Sequence, residues 1–146
     1  MSIKKKILIF VSLALSTIIV LTTCLVVTLS DRNVTVTYED DCIVFHNTPY
    51  DIELNYDEIN SIDIVDTKFG NEYVSGDYKF RTWEIGVYKN DTYGKYSSIV
   101  SKQSKKSIVA SLEGNFYYII GLKDLDETLN VLQHIVNNTS VKNIKK

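Results

Sequence analysis

The sequence predicts a mainly β domain that ends in one α-helix and is preceded by a single transmembrane helix. Ile7 to Leu29 is a run of 23 residues without a charge. Several segments between residues 34 and 122 alternate apolar with polar residues, which is typical of half-buried strands. After Asp124, apolar residues recur at intervals of three and four, as on one face of a helix. The predicted organisation is a cytoplasmic tail (1–6), a membrane helix (7–29), a β domain with its helix (31–137) and a polar basic tail (138–146).

The apolar run meets the length that a membrane crossing requires, because a bilayer core of about 30 Å needs roughly 20 apolar helical residues. Lys4, Lys5 and Lys6 precede the run, whereas Asp31 and Arg32 follow it. Basic flanks tend to remain in the cytoplasm. The sequence therefore predicts a single-pass protein of the cell membrane, with a cytoplasmic N-terminus and an extracytoplasmic domain.

Two other interpretations of the N-terminus remain open. A cleaved signal peptide has an apolar centre of about 7 to 15 residues and a small-residue cleavage site, and no A-x-A pattern precedes Asp31. The stretch Leu21 to Cys24 (LTTC) resembles the acylation site of a lipoprotein, but Thr23 stands where Gly, Ala or Ser is usual. A retained helix is favoured over both.

Charge and cysteine content exclude several classes of protein. Residues 31–146 carry 13 basic and 18 acidic residues, which argues against nucleic-acid binding and against docking on an anionic lipid surface. Cys24 lies in the apolar run and Cys42 lies beyond it, so both are expected to be free thiols. The domain must then be stabilised by its own core.

The β segments are predicted from alternation and from turn residues between them. Gly70, Gly76 and Gly86 are expected to mark turns in the irregular stretch 66–93, where residues 78–84 form a possible short strand. The strands after Gly94 are expected to form two successive hairpins. The predicted strands are residues 34–38, 42–46, 52–56, 61–65, 95–101, 107–112 and 116–122.

The last element, about residues 124–137, is predicted to be an amphipathic helix. Its apolar stripe consists of Leu125, Leu129, Leu132, Ile135 and Val136. Asp124 is a plausible N-cap, and Glu127 three residues later completes a capping-box pattern. Strands followed by such a helix indicate a bent antiparallel sheet or partly open barrel that the helix covers.

The order of motifs in this chain resembles that of the bacterial pleckstrin-homology-like domains. The motifs are Tyr56 to Ile64 (YDEINSIDI), Arg81-Thr82 with Gly86, Asp91 to Tyr96 (DTYGKY), Tyr118 to Leu122 (YIIGL) and Asp124 to Leu129 (DLDETL). The resemblance covers residues 34–137. It implies a seven-stranded antiparallel sandwich or partly open barrel with a C-terminal helix, and a role in binding or scaffolding in place of catalysis. Eukaryotic relatives hold phosphoinositides through basic residues in the first loop, and here that loop is Glu39-Asp40-Asp41, so headgroup binding is not carried over.

No residue pattern predicts an enzyme, a metal site or a cofactor. The two histidines, His46 and His134, have no H-x-x-x-H or C-x-x-C companion. No serine lies in a G-x-S-x-G motif, and Gly94-Lys95-Tyr96 lacks the other residues of a phosphate-binding loop. We therefore expect a non-enzymatic protein.

A binding surface is predicted where aromatic residues and a cation occur together, because such residues are enriched at interfaces. The alternative is that Trp83 and some of the tyrosines belong to the core. The predicted function is a membrane-anchored binding or scaffold protein of the cell envelope, held in the membrane by Ile7 to Leu29, with a protein partner that the sequence does not identify. A surface lipoprotein or secreted ligand-binding protein processed near Cys24 is the alternative function. The residues predicted for the binding surface are Arg81, Trp83, Tyr88, Tyr93 and Tyr96.

Overall fold

The computed structural model describes residues 3–29, 33–47, 50–68, 71–76, 82–140 and 144–145. The chain divides into two compact units, Met1–Asp31 and Arg32–Lys146. The first unit contains helix α1 (Ile3–Leu29). The second unit contains two β-sheets and helix α2 (Leu125–Asn138).

The predicted transmembrane helix over Ile7 to Leu29 is wrong. Within the part of the chain that the structure describes, no helix combines the length and the apolar character that a membrane crossing demands. The single-pass architecture and the cell-membrane localisation with an extracytoplasmic domain are corrected by the same finding.

The first sheet is a three-stranded antiparallel meander in the order β1-β2-β3. Its strands are β1 (Thr35–Tyr38), β2 (Cys42–Asn47) and β3 (Tyr50–Asn55). In the central strand, Phe45 lies opposite Val36 on one side and Ile52 on the other. Phe45 is fully buried, and Val36 and Ile52 pack against the same core. The three strands that the alternation predicts here are confirmed.

The second sheet contains seven strands in the order β10-β4-β8-β9-β7-β6-β5. The pairs β7/β9 and β10/β4 are parallel, and the other neighbouring pairs are antiparallel. The predicted fold class, an antiparallel sandwich or partly open barrel behind a transmembrane helix, is therefore wrong. The described residues form two sheets, one of them mixed, two α-helices, and the short 3-10 helices Tyr56–Glu58 and Glu113–Asn115. The strands are β4 (Ile59–Asp66), β5 (Glu72–Ser75), β6 (Trp83–Asn90), β7 (Gly94–Ser101), β8 (Lys106–Leu112), β9 (Tyr117–Gly121) and β10 (Ile144–Lys145).

The prediction of two successive hairpins after Gly94 is half right. β8 and β9 pair as antiparallel neighbours, but β9 lies between β7 and β8. The connection from β7 to β8 must therefore pass the end of β9, where Gly121 is located. A Cβ atom at Gly121 would lie 2.7 Å from Ser107 Oγ and 2.8 Å from Ser104 Oγ. Because glycine has no Cβ atom, Gly121 leaves room for the β7–β8 connection to pass the end of β9.

The stretch 66–93 contains two strands that alternation did not predict, β5 and β6. Gly86 does not mark a turn, since it lies inside β6 with a φ of 134°. A Cβ atom there would lie 2.8 Å from the carbonyl oxygen of Ser75 on β5, so a glycine permits the close approach of the edge strand. The predicted turn at Gly70 and most of the predicted strand over 78–84 lie outside the described residues.

Helix α2 covers one face of the large sheet. Asp124 is the N-cap, and its carboxylate accepts a hydrogen bond from the Asp126 N–H at 2.9 Å. The predicted apolar stripe is only partly right, because Leu125 and Leu129 are about 40% exposed. The buried face of the helix contains Thr128, Val131 and Ile135.

Candidate functional site

Strand β6 presents different chemistry on its two faces. Trp83 and Ile85 belong to the hydrophobic core under α2. Because side chains alternate along a strand, Glu84 and Tyr88 project from the opposite face, which we call the outer face. Glu84 and Tyr88 are nevertheless buried. The large sheet is therefore covered on both faces in this region.

A cavity of about 280 Å³ lies on the outer face. We call it the outer-face cavity. Three of its polar lining side chains are almost completely buried, with exposed fractions of 9% for Glu84, 2% for Ser98 and 0% for Ser107. Val65, Val100 and Ile119 contribute apolar surface to the lining. The further polar lining residues are Asp66, Thr67, Lys68, Asn71, Asn90, Thr92, Tyr93 and Tyr96.

Side-chain hydrogen bonds hold the rim of the outer-face cavity. Asn90 Oδ1 accepts hydrogen bonds from the backbone N–H groups of Thr92 at 3.0 Å and Tyr93 at 2.8 Å. The Asn90 amide donates to Asn71 Oδ1 at 3.3 Å, and the Thr67 and Ser107 hydroxyls are 2.8 Å apart. Asn90 thereby joins the β6–β7 turn to the segment before β5 at the rim of the cavity.

Tyrosine rings continue the wall of the outer-face cavity. The Tyr88 and Tyr96 rings stack with centroids 6.3 Å apart, and Tyr93 meets Tyr96 edge-on at 6.1 Å. Burial, and secondly the nearby Glu84 carboxylate, raise the pKa of Tyr96 to about 12. The same two causes raise the pKa of Tyr88 still further. Both hydroxyls therefore remain protonated at neutral pH, and the Tyr88 hydroxyl has no hydrogen-bond partner among the described residues.

The structure brings three of the five predicted site residues together. Tyr93 and Tyr96 line the outer-face cavity, and Tyr88 stacks on Tyr96. Trp83 lies on the other face of the sheet, 4% exposed within the core. Arg81 lies outside the described residues.

Sequence reasoning missed Glu84, Ser98 and Ser107. A signal existed, because Trp83 to Tyr88 alternates between large apolar residues and a polar or small set at a period of two. The predicted short strand over 78–84 places Glu84 at its end, whereas the structure places it on a second buried face of β6. No interpretation of β6 alone could have placed the serines, since they are on β7 and β8.

The two histidines lie away from the outer-face cavity. His46 bridges the three-stranded sheet, with Nε2 2.9 Å from the Thr37 hydroxyl and Nδ1 3.0 Å from the Asp51 carboxylate. His134 is on α2, where its ring packs against those of Tyr38 and Tyr56. Among the described residues, Glu39, Asp41 and Cys42 form a group of side chains of the kinds that bind metal ions, and this group lies in the turn between β1 and β2.

Comparison of this chain with protein-family models, with curated proteins and with solved structures gave no match. The resemblance to pleckstrin-homology-like domains therefore stays a prediction.

Proposed function

We propose that the chain is a binding module that holds a small polar organic molecule in the outer-face cavity without changing it chemically. The observation that carries this proposal is the cavity itself, which buried Glu84, Ser98 and Ser107 line together. Ligand sites in proteins begin at about 300 Å³ and combine an apolar wall with a few placed polar groups. The cavity has that composition, and its size suits a metabolite of low mass.

The charge of the outer-face cavity favours a ligand with an amine. Glu84 contributes a carboxylate at a buried position, and a carboxylate accepts its strongest hydrogen bonds from cationic donors. The aromatic rings of Tyr93 and Tyr96 also line the cavity, and the face of an aromatic ring attracts cations. Lys68, which is exposed at the cavity, suits a carboxylate or phosphate on the other end of the same molecule.

The proposal is tested on the full chain with a panel of defined probes: free amino acids, polyamines, nucleosides and monosaccharides. Thermal unfolding identifies probes that stabilise the folded protein, and calorimetry measures their affinity. Ile119→Phe should fill the cavity and abolish binding, whereas Leu129→Phe, at an exposed position of α2, should leave it unchanged. If no probe binds, or if Ile119→Phe binds as well as the unmodified chain, the proposal fails.

A second candidate function, nucleophilic catalysis, is favoured by one observation. Asp51, His46 and Thr37 form a chain of two hydrogen bonds in the order that orients and activates a hydroxyl nucleophile. The His46 and Asp51 side chains are 41% and 53% exposed, however, whereas hydrolytic sites exclude water. Hydrolysis of p-nitrophenyl acetate that disappears in both Thr37→Ala and His46→Gln would support this function; hydrolysis equal in all three proteins would exclude it.

A further inference from the structure

Strand β1 is an edge of the three-stranded sheet, and β2 is the strand that pairs with it among the described residues. The backbone N–H and C=O groups on its other side are therefore open to a further strand. Proteins usually protect such edges with charged side chains. The other described edge strands contain such residues: Asp51 and Glu53 in β3, Glu72 in β5 and Lys145 in β10. β1 (TVTY) carries no charge, so it is the edge least protected against pairing.

A groove of about 350 Å³ lies beside β1. We call it the β1 groove. Its lining combines residues of β1, such as Val36 and Tyr38, with residues that come from elsewhere in the chain. These are Leu122, which follows β9, and Glu127 and Asn130 on α2. The uncharged edge of β1 thus borders a concave surface that can receive the side chains of an added strand.

The walls of the β1 groove are held in place by contacts within the domain. The Tyr38 ring at the end of β1 packs against the His134 ring of α2, with centroids 4.3 Å apart. Leu122 is 3% exposed, and its N–H donates to the Thr128 hydroxyl at 3.0 Å. A preformed surface binds an extended peptide at a lower cost in ordering than a mobile surface does.

Alternation along β1 predicts which side chains the groove accepts. Val36 is half-buried and packs against the core, whereas Thr35 and Thr37 are exposed. Side chains that lie opposite each other on adjacent strands point to the same face of a sheet. Every second residue of an added strand would therefore point to the face of Val36, where Leu122 contributes apolar surface. We expect apolar residues at those positions of the partner.

The charge around the β1 groove favours a basic partner. Residues 33–58, which include the whole three-stranded sheet, contain seven acidic residues and no lysine or arginine. At the start of α2, Asp124, Asp126 and Glu127 outnumber Lys123. Opposite charge on a partner increases the rate and the specificity of association. The same charge disfavours a second copy of this chain, since two acidic surfaces would repel each other.

We propose that β1 accepts an extended segment of a protein partner as a further strand, and that this segment alternates apolar with basic residues. Backbone hydrogen bonds to β1 supply affinity, and apolar side chains in the β1 groove supply specificity. The surrounding carboxylates attract the basic side chains. The β1 groove and the outer-face cavity share no lining residue, so this proposal and the proposed small-molecule binding stand or fall separately.

The test uses the full chain and a fluorescein-labelled peptide of sequence KVKVKVK, whose binding is measured by fluorescence anisotropy. The peptide EVEVEVE reverses the charge. The peptide KVKPPVK places prolines at two adjacent positions, so that one of them removes a backbone donor towards β1 in any register. Both control peptides should bind about tenfold more weakly or less. In NMR spectra, KVKVKVK should shift the amide resonances of residues 35–38 and leave those of β5, the exposed edge of the other sheet, unchanged.

Matched variants locate the binding surface. Asn130→Trp should fill the β1 groove and abolish binding, whereas Gln133→Trp, at an exposed position of α2 outside the lining, should not. Glu127→Lys should weaken binding by about fivefold, because it replaces an attraction by a repulsion. Asp126→Lys makes the same change in the same turn of α2 but outside the lining, so it should weaken binding less. All four positions are exposed, and circular dichroism checks that the variants fold.

Four results would overturn the proposal. The first is that KVKVKVK does not bind, and the second is that EVEVEVE or KVKPPVK binds as tightly. The third is that Asn130→Trp leaves binding unchanged or that Glu127→Lys and Asp126→Lys weaken it equally. The fourth is a dimer in sedimentation that Asn130→Trp dissociates, since it would identify a second copy of the chain as the occupant of the β1 groove.

Discussion

The Thr128 hydroxyl accepts a hydrogen bond from the backbone N–H of Leu122 at 3.0 Å and donates one to the Asp124 carbonyl at 3.0 Å. Both bonds involve a side chain that is completely buried. A single hydroxyl thus connects the first turn of α2 to the chain that leaves β9. This explains why a polar residue begins the buried face of the helix, at a position that the predicted apolar stripe did not include.

Replacement of Thr128 by valine should destabilise the protein. Valine matches the shape of threonine but leaves the buried Leu122 N–H without an acceptor, which costs about 1–3 kcal/mol. Thr128→Ser keeps the hydroxyl and should lose only the contribution of one methyl group. Urea unfolding of the three proteins measures the difference; a valine variant as stable as the unmodified chain would show that the hydrogen bond contributes nothing.

Gly121→Ala should destabilise the protein because the new Cβ atom would collide with Ser107 Oγ and Ser104 Oγ. We expect a loss of about 1–3 kcal/mol, typical of overpacking. Adding Ser104→Ala and Ser107→Ala to the same chain should recover part of that loss, since the colliding oxygens are removed. Thermal unfolding ranks the stabilities of the unmodified chain, Gly121→Ala and the triple variant. If the triple variant regains no stability, the strain lies in the backbone instead.

Stability should fall at alkaline pH because of the buried tyrosines. The pKa of Tyr96 is raised from 10.0 to about 12, so the unfolded chain releases this proton first as the pH rises. The stabilisation that protonated Tyr96 contributes is fully present below pH 10 and is lost as the pH rises from 10 towards 12. Tyr96→Phe should show a shallower decline than Tyr73→Phe, which changes an exposed tyrosine. Urea unfolding at several pH values gives the slopes; equal slopes would contradict this expectation.

Lys106 should control the acidity of Asp66. The Lys106 ammonium lies 2.7 Å from Asp66 Oδ1, and the hydrogen bond and charge lower the pKa of that carboxyl below 3.8. The resulting stabilisation is present above pH 3.8 and disappears as the pH falls through the lowered pKa. Lys106→Met should return the Asp66 pKa towards 3.8, which NMR titration of the Asp66 side chain measures. Lys105→Met is the matched control, and an identical Asp66 titration in all three proteins would contradict the assignment.

Local patterns in the sequence located most of the secondary structure. Alternation identified β1 and β3, apolar segments between turn residues identified β2, β4 and β7, and the Asp124 cap fixed the beginning of α2. The same reasoning missed β5 and β6, because Gly86 resembles a turn residue when its neighbours in space are unknown, whereas it lies inside β6; Gly76 does lie in a bend, directly after β5. The apolar run at the N-terminus predicted a helix correctly and a membrane crossing wrongly.

The candidate site could be predicted only in part. Tyr93 and Tyr96 were selected as interface residues because of their chemistry, and both line the outer-face cavity. Trp83 was selected by the same argument but lies in the core. Composition distinguishes aromatic residues from others, yet it does not say which face of a strand is covered and by what.

The sequence by itself determined the position of most strands, where α2 begins and which residues share a face of a strand, since these depend on neighbours in the chain. Only the tertiary structure decided that β9 lies between β7 and β8, that Glu84 and Ser107 meet in one cavity, and that Tyr56 packs against His134. The physical reason is that a period of two specifies a side of a strand but not its partner. Strand order depends on packing between residues that are far apart in the chain. At Gly121 this packing requires a residue without a side chain.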